Sequence, residues 1–276
     1  MTNQLVPKSV ISLISYDAEY LPDSIKSYYP YVDEVVLGLD KDRISWSNNS
    51  FKFDEDKLWA DLKKIDTEKK IHVIEGNFHE SKTPIENDNA ERNFLKEHCS
   101  HDWIFSVDAD EVLINAKEFF NNWCPLIAPY RDKVDIAFTW FLPMKEFEND
   151  YLVIANPDNR WFSGDTQGFV TSKDKTFTYC RWTNNKRVIK SPLAVLHWSF
   201  CRSEENLQVK LENFGHSDKT KNDPFFNNWK VLNLDNYHAL TNFKSSGYGQ
   251  NQWPKLLKVS KEQFNAIAKM ESQLIY

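Results

Sequence analysis

The chain has 276 residues with 41% hydrophobic and 27% charged side chains, a composition typical of a globular protein large enough for one α/β domain. Its formal net charge of −6 argues against nonspecific binding to nucleic acid, and no apolar run approaches the roughly 18 residues that cross a membrane. With seven glycines and neither a GxGxxG nor a Walker sequence, the chain is also unlike dinucleotide dehydrogenases and P-loop enzymes.

The four cysteines, Cys99, Cys124, Cys180 and Cys201, show no CxxC spacing. This pattern predicts reduced thiols rather than a structural zinc site or a disulfide framework. The first residues, MTNQLVPKSVISLIS, contain no long apolar segment of the kind found in secretion signals. We therefore expect a cytoplasmic protein.

The first part of the chain alternates short apolar runs with segments of helical periodicity. The apolar runs lie at 10–15, 33–40, 69–77 and 102–111. Helices are predicted between them, with Leu58, Leu62 and Ile65 on one face of 54–66, and a further helix over 87–99. Because the strands are apolar throughout rather than alternating, they predict a mostly parallel sheet covered by helices on both faces.

After residue 113 strands dominate the pattern. The strand-like segments are 134–142, 151–156, 168–172, 176–182 and 191–200. A helix is predicted over 203–215, with Ser203 as its N-terminal cap and Gly215 at its C-terminal cap, and another over 259–271. No linker or repeat interrupts the chain, so we predict one domain over 1–276, with a nucleotide-sugar-binding half (1–115) and an acceptor-side half that ends in helices (116–276).

Three Asp-x-Asp triplets occur, at 40–42, 54–56 and 108–110, which is about the number that chance supplies. The triplet at 54–56 begins a predicted helix, where carboxylates favour the positive end of the helix dipole. The other two end predicted parallel strands, where open α/β sheets bind their ligands. Such carboxylates can hold Mg²⁺ or Mn²⁺, which stabilises a departing diphosphate; the alternative is a solvated strand end.

The segment NAERNFLKEHCSHDWIFSVDADEVL, residues 89–113, resembles glycosyltransferases of the A-type fold, especially the family 2-like group. In that group a helix bearing Ala-x-Arg-Asn precedes a strand that ends in Asp-x-Asp, and Ala90, Arg92 and Asn93 stand at the matching offset. The form DADE is closest to the branch with a DxDEF-like motif, with Val112 in place of the usual Phe. The resemblance covers residues 8–115 and implies the GT-A fold.

The resemblance also implies a donor site and a cation site. The residues expected to contact a nucleotide-diphosphate sugar (UDP- or GDP-type) are Ser15, Tyr16, Asp40, Arg92, Asn93, Asp108 and Lys210. The residues expected to hold Mn²⁺ or Mg²⁺ are Asp108, Asp110 and His197, since a histidine from a late strand commonly completes the metal site in this group. For His197 the alternative is a structural histidine at a strand end, and for Arg202 and Lys210 it is an ordinary solvated charge.

A catalytic base is harder to place from the sequence. An inverting transferase needs a carboxylate that deprotonates the acceptor hydroxyl, whereas a retaining one does not. The candidates are Asp165, Glu111, Glu146 and Glu148, and Asp165 can equally be a turn residue after Gly164.

The sequence thus predicts a metal-dependent glycosyltransferase that transfers a sugar to a hydroxyl acceptor, such as a glycan. One alternative is a carbohydrate- or partner-binding module with a degenerate site. Another is a sugar nucleotidyltransferase, which the glycine-free segment YDAEYLPDS after the first strand disfavours.

Overall fold

The computed structural model describes residues 6–155, 166–220, 224–239 and 255–268. The strands within these ranges are β1 (Lys8–Ile14), β2 (Glu34–Asp40), β3 (Ile71–Gly76), β4 (Trp103–Ser106), β5 (Glu111–Leu113), β6 (Asp135–Phe141), β7 (Pro143–Glu146), β8 (Asp150–Ala155), β9 (Thr166–Ser172), β10 (Phe177–Tyr179), β11 (Trp182–Thr183), β12 (Val188–His197) and β13 (Lys255–Ser260). The α-helices are α1 (Leu21–Tyr28), α2 (Glu55–Ile65), α3 (Pro84–His98), α4 (Ala116–Glu118), α5 (Cys124–Ile127), α6 (Glu204–Asn213), α7 (Ser217–Thr220), α8 (Phe225–Val231) and α9 (Lys261–Ala268).

The central sheet has the strand order β3-β2-β1-β4-β9-β6-β12-β5 across the described residues. Strands β3, β2, β1 and β4 are parallel, and β6 and β12 are parallel to each other. Strand β9 lies antiparallel between β4 and β6, which gives β4, β6 and β12 one direction. The carboxyl ends of β1, β4 and β12 therefore lie at the same edge as the first residues of β9. The prediction of a mostly parallel α/β sheet with a mixed-strand second half is confirmed.

The apolar strands are explained by the two faces of this sheet. In β2, Val35 and Leu37 belong to the larger core with Ile25 of α1 and Leu58 of α2. Val36 points to the opposite face and packs with Leu95 of α3. Because successive side chains alternate between faces and helices cover both, the positions between Glu34 and Asp40 are all apolar.

The starts of the first helices show how local sequence determines their boundaries. Asp54 caps α2 by accepting a hydrogen bond from the backbone N of Lys57 at 2.9 Å, so the triplet at 54–56 begins a helix as predicted. Helix α3 begins at Pro84, three residues earlier than predicted, because Thr83 and Glu86 form a reciprocal capping box. The capping box thus stabilises the N-terminus of the helix that carries Arg92.

Two predicted elements of the second half differ from the structure. The single strand predicted over 176–182 is a tight hairpin of β10 and β11, in which Cys180 has a φ of 51°. The helix predicted over 259–271 begins at Lys261, because the residues before it form β13, which pairs with β8 from Lys255 to Ser260. The hairpin is a local pairing of Phe177 with Thr183, whereas the start of α9 depends on the pairing of β13 with the distant β8, which the local pattern does not contain.

The helix predicted over 203–215 is α6. Ser203 caps it as predicted, accepting a hydrogen bond from the backbone N of Asn206 at 3.2 Å. The helix ends at Asn213 with Phe214 in an extended conformation, and Gly215 does not adopt a left-handed φ, so the predicted glycine cap is not what ends the helix.

All four cysteines are free. Burial raises the pKa of the Cys99 thiol to about 12, which keeps it protonated at neutral pH. Among the described residues, no helix combines the length and the apolar character needed to span a bilayer.

Candidate donor and metal site

A cavity of about 380 Å³ opens at the edge of the sheet where β1, β4 and β12 end and β9 begins. Its lining includes Ser15 and Tyr16, which follow β1, and Asp108 and Asp110, which follow β4. His197, the last residue of β12, lines it as well. The topology therefore assembles residues that are nearly 200 positions apart in one place, as expected for the ligand crevice of an open α/β sheet.

Asp108 lies between two arginines. The Nη2 atom of Arg92 donates to its Oδ1 at 2.8 Å, and the Nη2 atom of Arg181 lies 3.2 Å from its Oδ2. Arg92 is fixed in turn by Asp88 one helical turn earlier on α3 and by the hydroxyl of Ser106. Burial alone would raise the pKa of Asp108, but the charges of Arg181 and Arg92 outweigh it and lower the pKa to about 2.

Glu111 lies beneath the cavity and is fully buried. Arg181 donates to both of its carboxylate oxygens, at 2.6 and 2.7 Å, and Trp140 donates its indole N–H at 2.7 Å. The backbone N of Asp108 donates to the same side chain at 3.0 Å. With both oxygens occupied, Glu111 is placed to hold Arg181 and the turn of the DADE segment rather than to contact a substrate.

Asp110 is 2% exposed and lies against two cations and a histidine. Lys210 of α6 donates to its Oδ2 at 2.7 Å, Arg202 donates to the same oxygen, and the Nε2 atom of His197 lies 3.4 Å from its Oδ1. Burial would raise its pKa, but Lys210, His197 and Arg202 hold the pKa well below its usual range. Asp110 is therefore ionised at neutral pH.

His197 is held at the floor of the cavity by its neighbours in the sheet. It pairs with Glu111 across β12 and β5, and its ring lies 4.5 Å from that of Trp140. Its Nδ1 atom and the hydroxyl of Ser199 are buried and have no hydrogen-bond partner among the described residues, and both residues line the cavity. Buried polar atoms of this kind normally have a partner, so these two atoms can form a hydrogen bond, as acceptor or donor, with water or with a polar group in the cavity.

The loop after β1 contributes to the cavity and to its electrostatic balance. The hydroxyl of Ser15 donates to Asp17 at 3.0 Å, and Asp17 accepts from Arg202 at 3.2 Å. Tyr16 lines the cavity, and burial raises the pKa of its hydroxyl well above the usual value. The loop thus links the strand end to the cations around Asp110.

Other residues predicted for the site are placed differently. The carboxylate of Asp40 accepts from the backbone N of Asp42, Ile44 and Phe78 and contacts the His79 ring, so it is engaged in fixing its own loop. The amide of Asn93 forms two hydrogen bonds with the backbone of Phe177, each 2.9 Å long. Neither residue lines the cavity.

The candidate bases also differ in position. Glu146 lies on β7, half exposed, and its carboxylate pairs with Lys261 at 2.6 Å. Glu148 lies in the turn between β7 and β8 and, like Glu146, is not among the cavity-lining residues. Asp165 lies outside the described residues, and the two residues that follow it, Thr166 and Gln167, line the cavity.

Arg181 is a site residue that the sequence pattern did not indicate. It lies in the turn of the β10–β11 hairpin and reaches both Glu111 and Asp108. Its backbone carbonyl approaches Gly168 of β9 so closely that a Cβ atom at that position would clash with it. The glycine of GFVTS was the one available signal, since a glycine inside a strand often marks a close approach of backbone.

The residues at the cavity floor fit a divalent cation in their chemistry. The Oδ1 atom of Asp110 and the Nε2 atom of His197 lie 3.4 Å apart, and adjacent ligands of a hexacoordinate Mg²⁺ or Mn²⁺ lie about 3 Å apart. Asp108, the third predicted ligand, is held by its two arginines instead. Within the described ranges, the group of three potential ligands that comes within 4.8 Å is Asp40, Asp42 and His79, outside the cavity.

No protein-family model and no curated protein matches the chain. Solved structures that match include TarS of S. aureus, with a TM-score of 0.40 and 13% identity over 75% of this chain and 38% of that one. Its 1–349 fragment matches with a TM-score of 0.32 and 15% identity over 50% and 36%, and the same fragment in complex with UDP with 0.39 and 12% over 84% and 77%. At such TM-scores these likenesses do not define a function for this chain.

Proposed function

We propose that the chain is a glycosyltransferase that moves a sugar from a nucleotide-diphosphate sugar of the UDP or GDP type to a hydroxyl acceptor such as a glycan. The observation that carries this proposal is the cavity itself. It combines the buried Asp110 and the partly exposed Asp108 of an Asp-x-Asp motif with Arg92, Arg181 and Lys210 at the edge of the sheet where ligands bind. A diphosphate with its metal ion needs both signs of charge within one pocket.

The cation we propose is Mn²⁺ or Mg²⁺, held by Asp110 and His197 with Asp108 beside them. When bound, it supplies positive charge that stabilises the departing diphosphate. The chain's own cations, Arg92 and Lys210, hold the phosphate oxygens in place. Burial of these groups excludes water and strengthens each of these interactions.

The remaining residues take supporting roles. Ser15 and Tyr16 are proposed to contact the nucleotide, since both line the cavity. For Asp40 and Asn93 we propose a role through the loops they fix. Asp165 is the candidate base, because it directly precedes Thr166 at the cavity, and Glu111 is proposed to position Arg181. The free cysteines suit a reducing compartment, so the cytoplasm is the location we propose.

The test is a thermal-shift and hydrolysis screen of UDP- and GDP-sugars with and without Mn²⁺. We expect one donor with Mn²⁺ to raise the Tm of the wild type and to be hydrolysed slowly, because water replaces the acceptor. Asp110→Ala and the milder His197→Gln should lose both effects. Asp56→Ala, an exposed aspartate of another Asp-x-Asp triplet, is the matched control and should behave like the wild type.

Two outcomes would contradict the proposal in different ways. If Asp110→Ala bound and hydrolysed the donor as well as the wild type does, the metal assignment would be wrong. If no nucleotide sugar stabilised the wild type or was hydrolysed, a binding module with a degenerate site would be the better description.

A further inference from the structure

The surroundings of Asp110 form a charge-balanced set before any cation is added. Asp110 and Asp17 carry two negative charges, and Arg202 and Lys210 carry two positive charges, with His197 beside them. All five side chains are less than one tenth exposed. A divalent cation added to such a neutral, buried set leaves two uncompensated charges, which is costly in a medium of low dielectric constant.

The two cations that contact Asp110 are held very differently. Arg202 also contacts Asp17, donates through its Nε atom to the carbonyl of Trp198 at 3.0 Å and lies over the ring of Tyr20. It is not part of the cavity lining. Arg202 is therefore held by three further contacts and does not face the cavity in which a ligand would bind.

Lys210, by contrast, has one charged partner. Among the described residues, its Nζ atom forms its hydrogen bond with Asp110, and the side chain lines the cavity. A lysine is a compact charge on a flexible four-carbon stem, so it can turn from one anion to another without rearranging its helix. Of the two cations, it is the one that can leave.

We propose that Lys210 is an internal counter-cation of Asp110 that a divalent ion displaces, and that the released ammonium group then binds the diphosphate. This inference rests on the proposed function and adds a sequence of events to it: the cation first displaces Lys210, and the lysine then binds the diphosphate. Without a nucleotide, Mn²⁺ must compete with Lys210 for Asp110 and gives the lysine no new partner. With a nucleotide diphosphate present, the lysine exchanges one anion for another. The protein with Mn²⁺ bound therefore binds the nucleotide more tightly, and the protein with the nucleotide bound binds Mn²⁺ more tightly.

The experiment measures the Kd of Mn²⁺ from the free-ion EPR signal, with and without UDP, and in parallel with GDP. In the wild type we expect the better of the two nucleotides to tighten Mn²⁺ binding about tenfold or more, and Mn²⁺ to tighten nucleotide binding by the same factor, since coupling is reciprocal. Lys210→Met should bind Mn²⁺ alone about tenfold more tightly than the wild type, because the competing charge is gone. Its coupling to the nucleotide should shrink accordingly.

The matched control is Lys57→Met. Lys57 forms an ion pair with Asp61 at the same 2.7 Å as the pair of Lys210 with Asp110, but on the surface of α2. Its removal should leave the Kd of Mn²⁺ unchanged. A second readout is the Tm, because Lys210→Met without metal should melt below the wild type and Mn²⁺ should restore more of its Tm than it adds to the wild type.

The inference is overturned if Lys210→Met and the wild type bind Mn²⁺ alone with equal affinity. Should the variant not fold, the wild type still decides, because Mn²⁺ binding that is equally tight with and without nucleotide contradicts the exchange. The proposed function fails separately, if neither UDP nor GDP with Mn²⁺ changes the Tm of the wild type.

Discussion

The two aspartates of the DADE segment are two residues apart but lie in different environments. The side chain of Asp108 is 27% exposed and is held by two arginines, Arg92 of α3 and Arg181 of the β10–β11 turn. Asp110 is almost completely buried and depends on Arg202, Lys210 and His197, which all follow or end β12. One aspartate is thus held by the first half of the chain together with a hairpin, and the other by the late strand and helix.

The two environments differ in whether each arginine or lysine keeps another carboxylate partner when its aspartate is removed. Arg92 retains Asp88 and Arg181 retains Glu111, so the cations around Asp108 are shared with other buried carboxylates. Among the residues that the structure describes, Lys210 contacts no second carboxylate, whereas Arg202 keeps Asp17. Asp108 therefore belongs to a fixed network, whereas Asp110 belongs to a set in which one member can be exchanged.

The largest expected effect is the loss of stability in Asp110→Asn. This change leaves Lys210 buried without its carboxylate, and we expect it to cost about 4 kcal/mol in free energy of unfolding, because a broken buried ion pair leaves an uncompensated charge. Asp108→Asn should cost about half as much, roughly 2 kcal/mol, since both arginines retain partners. Urea denaturation at pH 7 with the slope m unchanged measures both.

The order of these two values is what tests the comparison. Mn²⁺ should not restore Asp110→Asn, because the ligand is lost, and Asp56→Asn on the surface should stay within about 0.5 kcal/mol of the wild type. Equal losses for the two aspartates would show that the division into a fixed and an exchangeable set is wrong.

The next effect concerns Glu111, which supports the Asp108 side. Glu111→Gln keeps an acceptor for Trp140 but removes the charge that binds Arg181 through two hydrogen bonds. We expect a loss of about 3 kcal/mol by urea denaturation, most of it from the buried arginine. In combination with Asp108→Asn the losses should not add, because both changes act on Arg181. Additive losses would separate Glu111 from the Asp108 network.

Much of this site could be predicted because its parts follow local rules. Asp108 and Asp110 end an apolar strand, Arg92 lies on the helix before it, and His197 ends a late strand, so the geometry of a parallel sheet brings them to one edge. The resemblance to known glycosyltransferases supplied the spacing. Their roles with a donor and a cation stay predictions, as does the single domain over the whole chain.

The rest depended on contacts between distant segments. Arg181 reaches the site because the β10–β11 hairpin packs closely against Gly168; the glycine within β9 indicates a close approach but does not identify Arg181 as the partner. Asp40 lies at a strand end as predicted, yet its oxygens are taken by a loop that returns from Phe78, 38 residues later. A motif locates a residue in the fold, but its partners are determined by tertiary packing.

The acid titration of stability gives a third, smaller effect. The folded pKa of Asp108, about 2, lies below the usual value near 3.9, so this group adds stability that is present above pH 4 and is lost as the pH falls towards 2. This contribution to the free energy of unfolding is about 2 kcal/mol. Asp108→Asn should remove the corresponding decrease in stability below about pH 4. Burial lowers the pKa of His216 to about 4. As the pH falls from about 6.5 to 4, the unfolded chain therefore binds a proton at this histidine before the folded chain does, and the free energy of unfolding decreases over that range. Thermal melts between pH 7 and 2.5 separate the two windows, and a slope below pH 4 that persists unchanged in Asp108→Asn would contradict the assignment.

The smallest effect tests how the backbone of the motif is anchored. The buried hydroxyl of Ser24 on α1 donates to the carbonyl of Asp108 at 3.1 Å, whereas the carbonyl of Asp110 accepts from the backbone N of Trp198. Ser24→Ala should therefore cost about 1 kcal/mol, the usual value of one buried hydrogen bond, and Ser50→Ala on the surface should cost almost nothing. Because the hydrogen bond of the Ser24 hydroxyl goes to Asp108 and not to Asp110, the Kd of Mn²⁺ in the absence of nucleotide should stay at its wild-type value. A change in that Kd would mean that the two aspartates move together, and the fixed and exchangeable sets would then be one.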